Sequence, residues 1–349
     1  MHMTDKKNDQ HNTQQTSSFM EGFSNAMGVH FSDMGEGDVA VGVSGGADSM
    51  ALCFALSEYF EGISDVTIHA LSVDHALRAE SAEEVCHVAG QLKLLSNVKH
   101  HILTWSHDKK PDARIQERAR AARYDLMRDY MSGRGIKRLF LGHHMDDQAE
   151  TFLFRLAKGS GLDGLSCMSP VQEMGDDLVL CRPMLGLSKV DMISFCEERG
   201  IDCIHDPSND CDDFVRVRLR KSRKILAEEG LTSKRLNVAS MRFSRARKAL
   251  DIMSNNAFDV CIYKIKSERI VFNKLNLLSY PEEIVLRVIL KAIKTLQNES
   301  GYGTRLERVE NLCIDLMKPD GFRKRTLGGI IFECDDKRDQ LILSLENSR

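Results

Sequence analysis

The residues best suited to chemistry follow a short apolar run, Val39–Val43. They form the string Ser44-Gly45-Gly46-Ala47-Asp48-Ser49, and an apolar stretch with helical spacing comes directly after it. This order predicts a strand, a tight loop and a helix. Glycine lets backbone N–H groups approach a ligand without a Cβ in the way, and a helix N-terminus favours negative charge. The loop therefore predicts a site for an anion, most often a phosphate.

Other familiar loops fit this string less well. A Walker loop needs a lysine after its glycines, and a dinucleotide fingerprint needs a G-x-G-x-x-G spacing; both are missing. Residues 42–46 match the G-x-S-x-G nucleophile elbow of hydrolases, but too little chain precedes them for that fold. An ordinary glycine-rich turn stays open on these residues alone. Asp48 would repel a phosphate unless a cation lay between them, and Mg²⁺ is the natural bridge.

A second group of chemically capable residues begins after a predicted strand at residues 138–142. It reads His143-His144-Met145-Asp146-Asp147-Gln148 and becomes a helix. Its histidines and carboxylates fit a transition-metal site, helix capping, or a carboxylate–magnesium–phosphate site. Magnesium prefers oxygen ligands and keeps waters, which favours the last of these.

The elements that must position these residues alternate along the chain. Predicted strands at residues 66–73 and 98–103 are separated by predicted helices at residues 81–95 and 111–131. Such alternation indicates a parallel α/β sheet, whose ligands bind at the carboxyl ends of the strands. The loop at Ser44, the pair Asp74-His75 and the pair His143-His144 can therefore converge on one cleft.

Length and composition indicate an ordinary globular chain of two or three domains. It has 349 residues, 42% of them hydrophobic and 28% charged. No stretch approaches the ~20 apolar residues of a membrane helix. Residues 1–35 are expected to be a polar, partly disordered lead-in. The ten cysteines form no C-x-x-C pair and indicate buried free thiols in a reducing compartment, the cytoplasm.

The charge is divided unevenly along the chain. Residues 1–213 hold 20 Lys and Arg against 34 Asp and Glu, a net charge of −14. Residues 214–349 hold 28 against 17, a net charge of +11. The asymmetry favours a basic module for a polyanion, although a merely solvated basic surface stays open. This predicted domain, residues 216–349, is mainly helical and ends in a β-hairpin formed by residues 328–333 and 340–345.

The loop string resembles the pyrophosphate loop of the PP-loop ATPases, which adenylate a substrate and release AMP. Further strings resemble, in the same order, motifs of the tRNA(Ile)-lysidine synthases: residues 73–78, A-R-x-x-R-Y at 119–124, H-x-x-D-D-Q-x-E-T at 143–151 with glycines up to 164, R-P-x-L at 182–185, and 206–216. The resemblance covers roughly residues 39–220. One departure is Val217, where the family pattern has Asn after the arginine.

The resemblance implies a parallel-sheet, Rossmann-like PP-loop domain at residues 36–215 and an enzyme that uses ATP to join L-lysine to C2 of the wobble cytidine of tRNA(Ile) with a CAU anticodon. Two steps are implied: adenylation of the cytidine oxygen, then attack by the lysine amine. Mg²⁺ would be held by Asp48 and Asp147. Catalytic roles follow for Asp48, Asp147, His144, Arg120 and Arg123. ATP-binding roles follow for Ser44, Gly45, Gly46, Ala47, Asp48, Ser49, Asp74 and His75, and tRNA-binding roles for Arg216, Arg218, Arg220, Arg242 and Arg245.

Two alternative functions stay open at this point. A cytidine thiolase of the same superfamily would need paired cysteines, which the sequence lacks. A non-catalytic RNA-binding protein with a relic ATP loop would not need the acids at positions 48 and 147. The sequence leaves the oligomeric state open, a homodimer included.

Overall fold

The computed structural model describes residues 5–32, 37–62, 66–74, 81–106, 115–175, 178–204, 215–297, 305–318 and 321–346. The chain forms two compact units, Met1–Ser244 and Arg245–Arg349. This division comes later than the boundary at residues 215 and 216 that the charge distribution predicts. The reason is that the first part of the basic stretch packs within the first unit, where Leu236 joins a core cluster with Ala149 and Phe152.

A mostly parallel sheet forms the centre of the first unit. Its described strands are β1 (Val39–Gly42), β2 (Ile68–Asp74), β3 (Val98–Thr104), β4 (Arg138–Phe140), β5 (Val171–Glu173) and β6 (Val179–Cys181). They lie in the order β3-β2-β1-β4-β6-β5, and each neighbouring pair is parallel except β5 with β6. The predicted parallel α/β sheet is confirmed.

Helices cover both faces of this sheet. The helices of this part of the chain are α1 (Asp5–Phe31), α2 (Ala47–Tyr59), α3 (Ser81–Leu92), α4 (Ile115–Ser132), α5 (Met145–Ala157), α6 (Leu162–Leu165), α7 (Lys189–Glu198), α8 (Val215–Glu228) and α9 (Ser233–Cys261). The last of them, α9, continues into the second unit. Side chains alternate along β1: Val39 and Val41 pack with α2 and α7, and Ala40 packs with Met127 of α4. Strands covered on both faces are apolar throughout, as β1 is.

The N-terminal segment differs from the predicted lead-in. Residues 5–31 form a helix, whereas the sequence predicted only a polar and partly disordered segment there. Its apolar side chains recur every four residues and are buried: Phe19, Phe23, Met27 and Phe31. The ring of Phe19 lies 4.3 Å from that of Phe195 in α7, centroid to centroid. The apolar stripe begins only at Phe19, after the Gln-rich stretch that suggested disorder.

The second unit combines helices with an antiparallel sheet. After the end of α9 come β7 (Ile262–Lys266), β8 (Arg269–Asn273), α10 (Lys274–Leu278), α11 (Glu282–Leu296), α12 (Leu306–Leu316), β9 (Arg325–Leu327), β10 (Ile330–Asp335) and β11 (Gln340–Leu345). The described strands lie in the order β7-β8-β11-β10-β9. The predicted terminal hairpin is confirmed as β10 with β11. Strands β7 and β8 extend this hairpin to a larger sheet and were not predicted from the sequence.

Two further expectations concern the whole chain. The nine described cysteines are free, and six of them are buried; Cys211 lies outside the described residues. Among the helices that the structure describes, none is both long enough and apolar enough to span a bilayer.

Candidate active site

Strands β2, β1 and β4 lie side by side, and a cleft of about 240 Å³ opens beside the residues that leave β1 and β4. The chain passes from β1 to β2 on one side, whereas β4 lies on the other. Such a switch point is where open α/β sheets bind ligands. The polar residues that line the cleft are Ser44, Asp48, Ser49, Arg120, Arg123, Tyr124, His143 and Asp147. The convergence of the two motifs that the topology predicts is therefore observed.

The phosphate loop is held by its own serines. The amide of Ser44 donates to Oγ of Ser49 over 3.0 Å, and the Ser49 hydroxyl donates to the carbonyl of Gly46 over 3.0 Å. The two hydroxyl oxygens lie 3.2 Å apart. The N-cap residue of α2 is Gly46, which has no side chain to cap the helix. The start of α2 therefore faces the cleft with backbone donors and the positive end of its dipole.

Two glycines allow the close approach of backbone segments at this loop. Gly45 has φ of +84°, and a Cβ there would lie 2.7 Å from Cδ1 of Ile204. Gly142 follows β4, and a Cβ there would lie 2.9 Å from the carbonyl oxygen of Asp48. Because real Cβ atoms do not approach backbone so closely, a side chain at residue 142 would push the β4 exit away from the loop. Gly142 thus lets the two motifs meet.

His144 lies between two carboxylates. Its Nδ1 accepts a hydrogen bond from the amide of Asp146 over 3.2 Å. Its Nε2 lies 3.7 Å from Asp48 Oδ1 and 3.4 Å from Asp147 Oδ2. Because Nδ1 accepts, the neutral ring carries its proton on Nε2, facing both acids. The ring is 5% exposed, so it holds the two carboxylates from a buried position.

The adjacent acids Asp146 and Asp147 have different surroundings. Asp147 is the N3 residue of the capping box of α5, accepts from the amide of His144 over 3.1 Å and lines the cleft. The buried carboxylate of Asp146 binds Arg223 of α8 and the amide of Lys189, the latter over 3.1 Å. Burial raises the pKa of Asp146, but hydrogen bonds from Ser233 and Lys189 and the charge of Arg223 outweigh it, so the net pKa is lowered. Asp146 therefore links helices, whereas Asp147 faces the cleft.

Asp48 has a second cationic neighbour that the sequence analysis missed. Nζ of Lys189, the first residue of α7, lies 2.5 Å from Asp48 Oδ1. The two residues are 141 positions apart, so no local pattern connects them. One indirect signal exists in the sequence: the phosphate loop has no lysine of its own.

The opposite wall of the cleft is basic. Arg120 and Arg123 of α4 line it with exposed side chains, and Arg120 donates to the hydroxyl of Tyr124 over 3.3 Å. His143 lies at the base, where burial and the charges of Arg182 and Arg120 lower its pKa to about 4 against the opposing charge of Asp147. His143 is therefore neutral at pH 7. A polyphosphate in this cleft would meet acids on one side, where it needs a bridging metal cation. On the other side it would meet the positively charged arginines directly.

Comparison with known proteins places this cleft in a family. A family model described as a PP-loop domain matches residues 14–227. The tRNA(Ile)-lysidine synthase of Methylobacterium nodulans is 37% identical over 303 residues, which cover 84% of this chain and 87% of that protein. The chain belongs to the tRNA(Ile)-lysidine synthase family. The family member from the Wolbachia of Brugia malayi is 34% identical, with 83% of this chain and 67% of that protein covered.

A solved structure supports the lysidine synthase fold independently of sequence. The U34-tRNA thiolase NcsA from Methanococcus maripaludis, solved with its [4Fe-4S] cluster, matches with a TM-score of 0.55. The match covers 68% of this chain and 80% of that one at 14% identity, so it shows a shared fold alone.

The remaining predicted residues of the lysidine synthase motifs lie in several places. Asp74 ends β2, but the cleft is lined there by Val73. His75 lies outside the described residues, as do the side chains of Arg216 and Arg220. On the basic helices, the structure shows these predicted tRNA-binding side chains exposed: Arg218 of α8, and Arg242 and Arg245 of α9.

A second cavity of about 330 Å³ lies among α5, α8 and α9. Its walls include Leu153, Leu219, Leu226 and Leu236. One carboxylate, that of Glu150, and two cations, Arg223 and Lys224, also line it. Glu150 is 3% exposed and lies three residues after Asp147 on α5, so this one helix contributes to both cavities.

Proposed function

We propose that this chain joins L-lysine to C2 of the wobble cytidine in the CAU anticodon of tRNA(Ile), with ATP as the energy source. The observation that carries the proposal is the convergence of the phosphate loop, Asp147 and the α4 arginines on one cleft in a member of this family. The products are AMP, pyrophosphate and a modified base that pairs with A. We infer that the reaction takes place in the cytoplasm, where tRNA and ATP are available.

In the first step the cytidine O2 attacks the α-phosphorus of ATP, and the bond from that phosphorus to the bridging oxygen breaks. The electron pair leaves with pyrophosphate, so negative charge grows at the phosphate loop. The backbone N–H groups at the start of α2 line this side of the cleft, and the serines hold the loop in place, since the Ser49 hydroxyl donates to Gly46. Donors fixed before the reaction stabilise such charge best, because they need not reorganise. The arginines of α4 supply positive charge from the opposite wall.

The side chains fit a magnesium ion better than a transition metal. Asp48 and Asp147 both face Nε2 of His144, and both line the cleft. Within the described residues, no three His, Cys, Asp or Glu side chains gather as a self-sufficient metal cage. Mg²⁺ is commonly held by one or two carboxylates together with substrate phosphates. Bound there, it would neutralise charge on the departing pyrophosphate.

In the second step the lysine ε-amine attacks C2 and expels AMP. This amine must lose a proton first, because its pKa in water is ~10.4. The geometry makes His144 a poor base, since Nδ1 is already an acceptor and Nε2 carries the proton. We assign His144 the role of holding the two carboxylates in position.

The second cavity is our candidate for the lysine substrate. Its leucines suit the four-carbon stem, the Glu150 carboxylate suits an ammonium, and Arg223 and Lys224 suit a carboxylate. The position of Glu150 on α5, three residues after Asp147, relates this cavity to the helix that starts in the ATP cleft.

The proposal is tested by transfer of radiolabelled lysine to tRNA transcripts that differ only in the anticodon. Label should enter the CAU transcript with stoichiometric release of AMP and pyrophosphate, and should not enter a transcript with GAU. Incorporation of sulfur in place of lysine would favour the thiolase alternative. Tight tRNA binding with no pyrophosphate release would favour the non-catalytic one.

A further inference from the structure

Lys189 occupies a position that the reaction described above does not yet use. Its ammonium lies 2.5 Å from Asp48 Oδ1, on the carboxylate assigned to the metal. The side chain is 38% exposed and that of Asp48 is 31% exposed, so solvent and ligands can reach the pair. The cation at this acid is thus supplied by the protein itself.

The backbone of Lys189 is held in place, whereas its long side chain can change conformation. The residue before it, Ser188, forms a capping box with Asp191 at the start of α7. The Lys189 amide donates to Asp146, whose other oxygen binds Arg223. The backbone is therefore held from two sides, while the four-carbon stem can carry the ammonium to a new partner within its reach.

Breaking the ion pair between Lys189 and Asp48 costs little free energy. Partly exposed pairs of this kind contribute ~0.2–1 kcal/mol, because water screens them and ordering the side chains costs entropy. A divalent cation together with a polyphosphate offers each partner a stronger interaction than this pair. Asp48 can therefore exchange Lys189 for a metal ion with little loss of stability.

The phosphate loop lacks the lysine with which Walker loops bind the terminal phosphates. We propose that Lys189 supplies this function from α7. Before ATP binds, its ammonium holds the Asp48 carboxylate; when ATP and metal enter, it releases Asp48 and binds the β- and γ-phosphates. The inference rests on the proposed assignment of Asp48 to the metal.

During adenylation Lys189 acts through its charge. The bond from the α-phosphorus to the bridging oxygen breaks, the bond from cytidine O2 to that phosphorus forms, and the electron pair leaves on pyrophosphate. The ammonium donates to the departing oxygens and compensates their charge. It is a substrate-positioning and charge-stabilising group, with no proton transferred.

A matched pair of variants separates this role from a structural one. Lys189 and Arg199 both join α7 to α2 by an ion pair: Lys189 to Asp48, and Arg199 to Glu58 over 2.8 Å. The test compares Lys189→Met and Arg199→Met in the full-length protein. Two quantities are measured: Mn²⁺ affinity without nucleotide, by the electron paramagnetic resonance signal of free Mn²⁺, and pyrophosphate release with tRNA, lysine and ATP saturating.

In Lys189→Met, Mn²⁺ should bind up to about fivefold tighter, the equivalent of ~1 kcal/mol, because a competing cation has gone. Pyrophosphate release should nevertheless fall by about 10²-fold, as when one charge-stabilising donor is removed. Lys189→Arg should recover part of that rate. Arg199→Met should leave both quantities at the wild-type level, even if its melting temperature drops.

Equal Mn²⁺ affinity in the wild type and Lys189→Met, including no measurable binding in either, would overturn the exchange at Asp48. Wild-type pyrophosphate release in Lys189→Met would overturn the phosphate-binding role. Failure of the proposed function looks different: there the wild type itself would transfer no lysine to tRNA.

Discussion

At the scale of single residues, one buried imidazole organises the acidic side of the cleft. His144 Nε2 faces Asp48 and Asp147, although these acids come from different strand exits. This atom lies 3.7 Å from Asp48 and 3.4 Å from Asp147, and we propose that it orients both carboxylates before any ligand arrives. Preorganisation of this kind lowers the reorganisation that binding and catalysis require.

Replacement of Asp48 by Asn should abolish adenylation and leave tRNA affinity nearly unchanged. The substitution keeps the shape but removes the charge that a magnesium ion needs, so pyrophosphate release should fall by ~100-fold or more. Pyrophosphate release and tRNA binding are measured on the same preparation. Release at the wild-type rate would rule out the metal-binding role of this acid.

Asp147→Ala should reduce chemistry more than ATP binding. Because Asp147 also accepts the hydrogen bond of the His144 amide in the capping box of α5, the change should cost ~0.5–1.5 kcal/mol of stability as well. Asp147→Asn is the matched control, since it keeps an oxygen for the His144 amide and removes the charge. If only the alanine variant loses activity, and in step with its loss of stability, the acid is a cap and nothing more.

Site residues that are neighbours in the sequence could be predicted from it. The loop at Ser44 and the acids after His143 carry short signatures, and the rule that ligands bind at strand ends predicts their convergence. Lys189 and Arg223 could not be predicted, because their partners lie 141 and 77 positions away. An ion pair between residues so far apart in the chain produces no recognisable pattern in the local sequence.

At the scale of elements, Asp146 links α5 to α7 and α8. The net pKa of Asp146 lies below its ordinary value, so the folded state favours the ionised form. Its contribution to stability is fully present above the unfolded-state pKa of ~3.9 and is lost as pH falls through the lower folded-state pKa. Asp146→Asn should therefore be less stable than the wild type by about 1.5–3 kcal/mol at pH 7, and this difference should shrink below about pH 4.

Urea unfolding at pH 7 and at pH 3.5 measures this effect. The exposed Asp129→Asn serves as control and should show little difference at either pH. A destabilisation of Asp146→Asn that is equal at both pH values would mean that the charge of Asp146 does not hold these helices together.

Glu150→Gln tests the lysine cavity on the other side of α5. If the carboxylate binds the substrate ammonium, KM for lysine should rise about 10-fold or more, the loss of ~1.5–3 kcal/mol for one charged hydrogen bond. The rate of pyrophosphate release at saturating ATP should stay close to that of the wild type, because adenylation precedes the use of lysine. An unchanged KM for lysine would remove this cavity from the reaction.

Elements were predictable where a pattern was long enough. The strands of the terminal hairpin carry clear alternation, and the hairpin was predicted. The strands β5 and β6 have three residues each, too few to show alternation. The exposed, polar strand β7 resembles a loop in composition, since its side chains from Tyr263 onward face solvent.

At the scale of the whole molecule, the charge asymmetry predicts how tRNA is bound. Neutralising Arg242 and Arg245, which lie three residues apart and exposed on α9, should weaken binding of every tRNA about equally. Phosphate contacts position a nucleic acid without reading its bases. Each lost contact should also flatten the slope of log affinity against log salt by about 0.7–0.9. Turnover at saturating tRNA should survive.

Binding is measured at several salt concentrations for the double variant and for a control pair. Lys93 and Lys99 are also exposed but lie in the acidic half of the chain, so their neutralisation should leave the slope unchanged. If the α9 pair behaves like the control pair, the basic stretch is a solvated surface there.

The packing of α1 has a consequence for synthesis on the ribosome. The ring of Phe19 packs on that of Phe195, and about 175 further residues must be translated before this partner exists. At ~5–20 residues per second, the delay is about 9–35 s. Throughout it, the apolar face of α1 is without the α7 surface that covers it in the finished protein. Until about residue 200 has emerged, this face is exposed apolar surface of the kind that makes partly folded chains prone to aggregate.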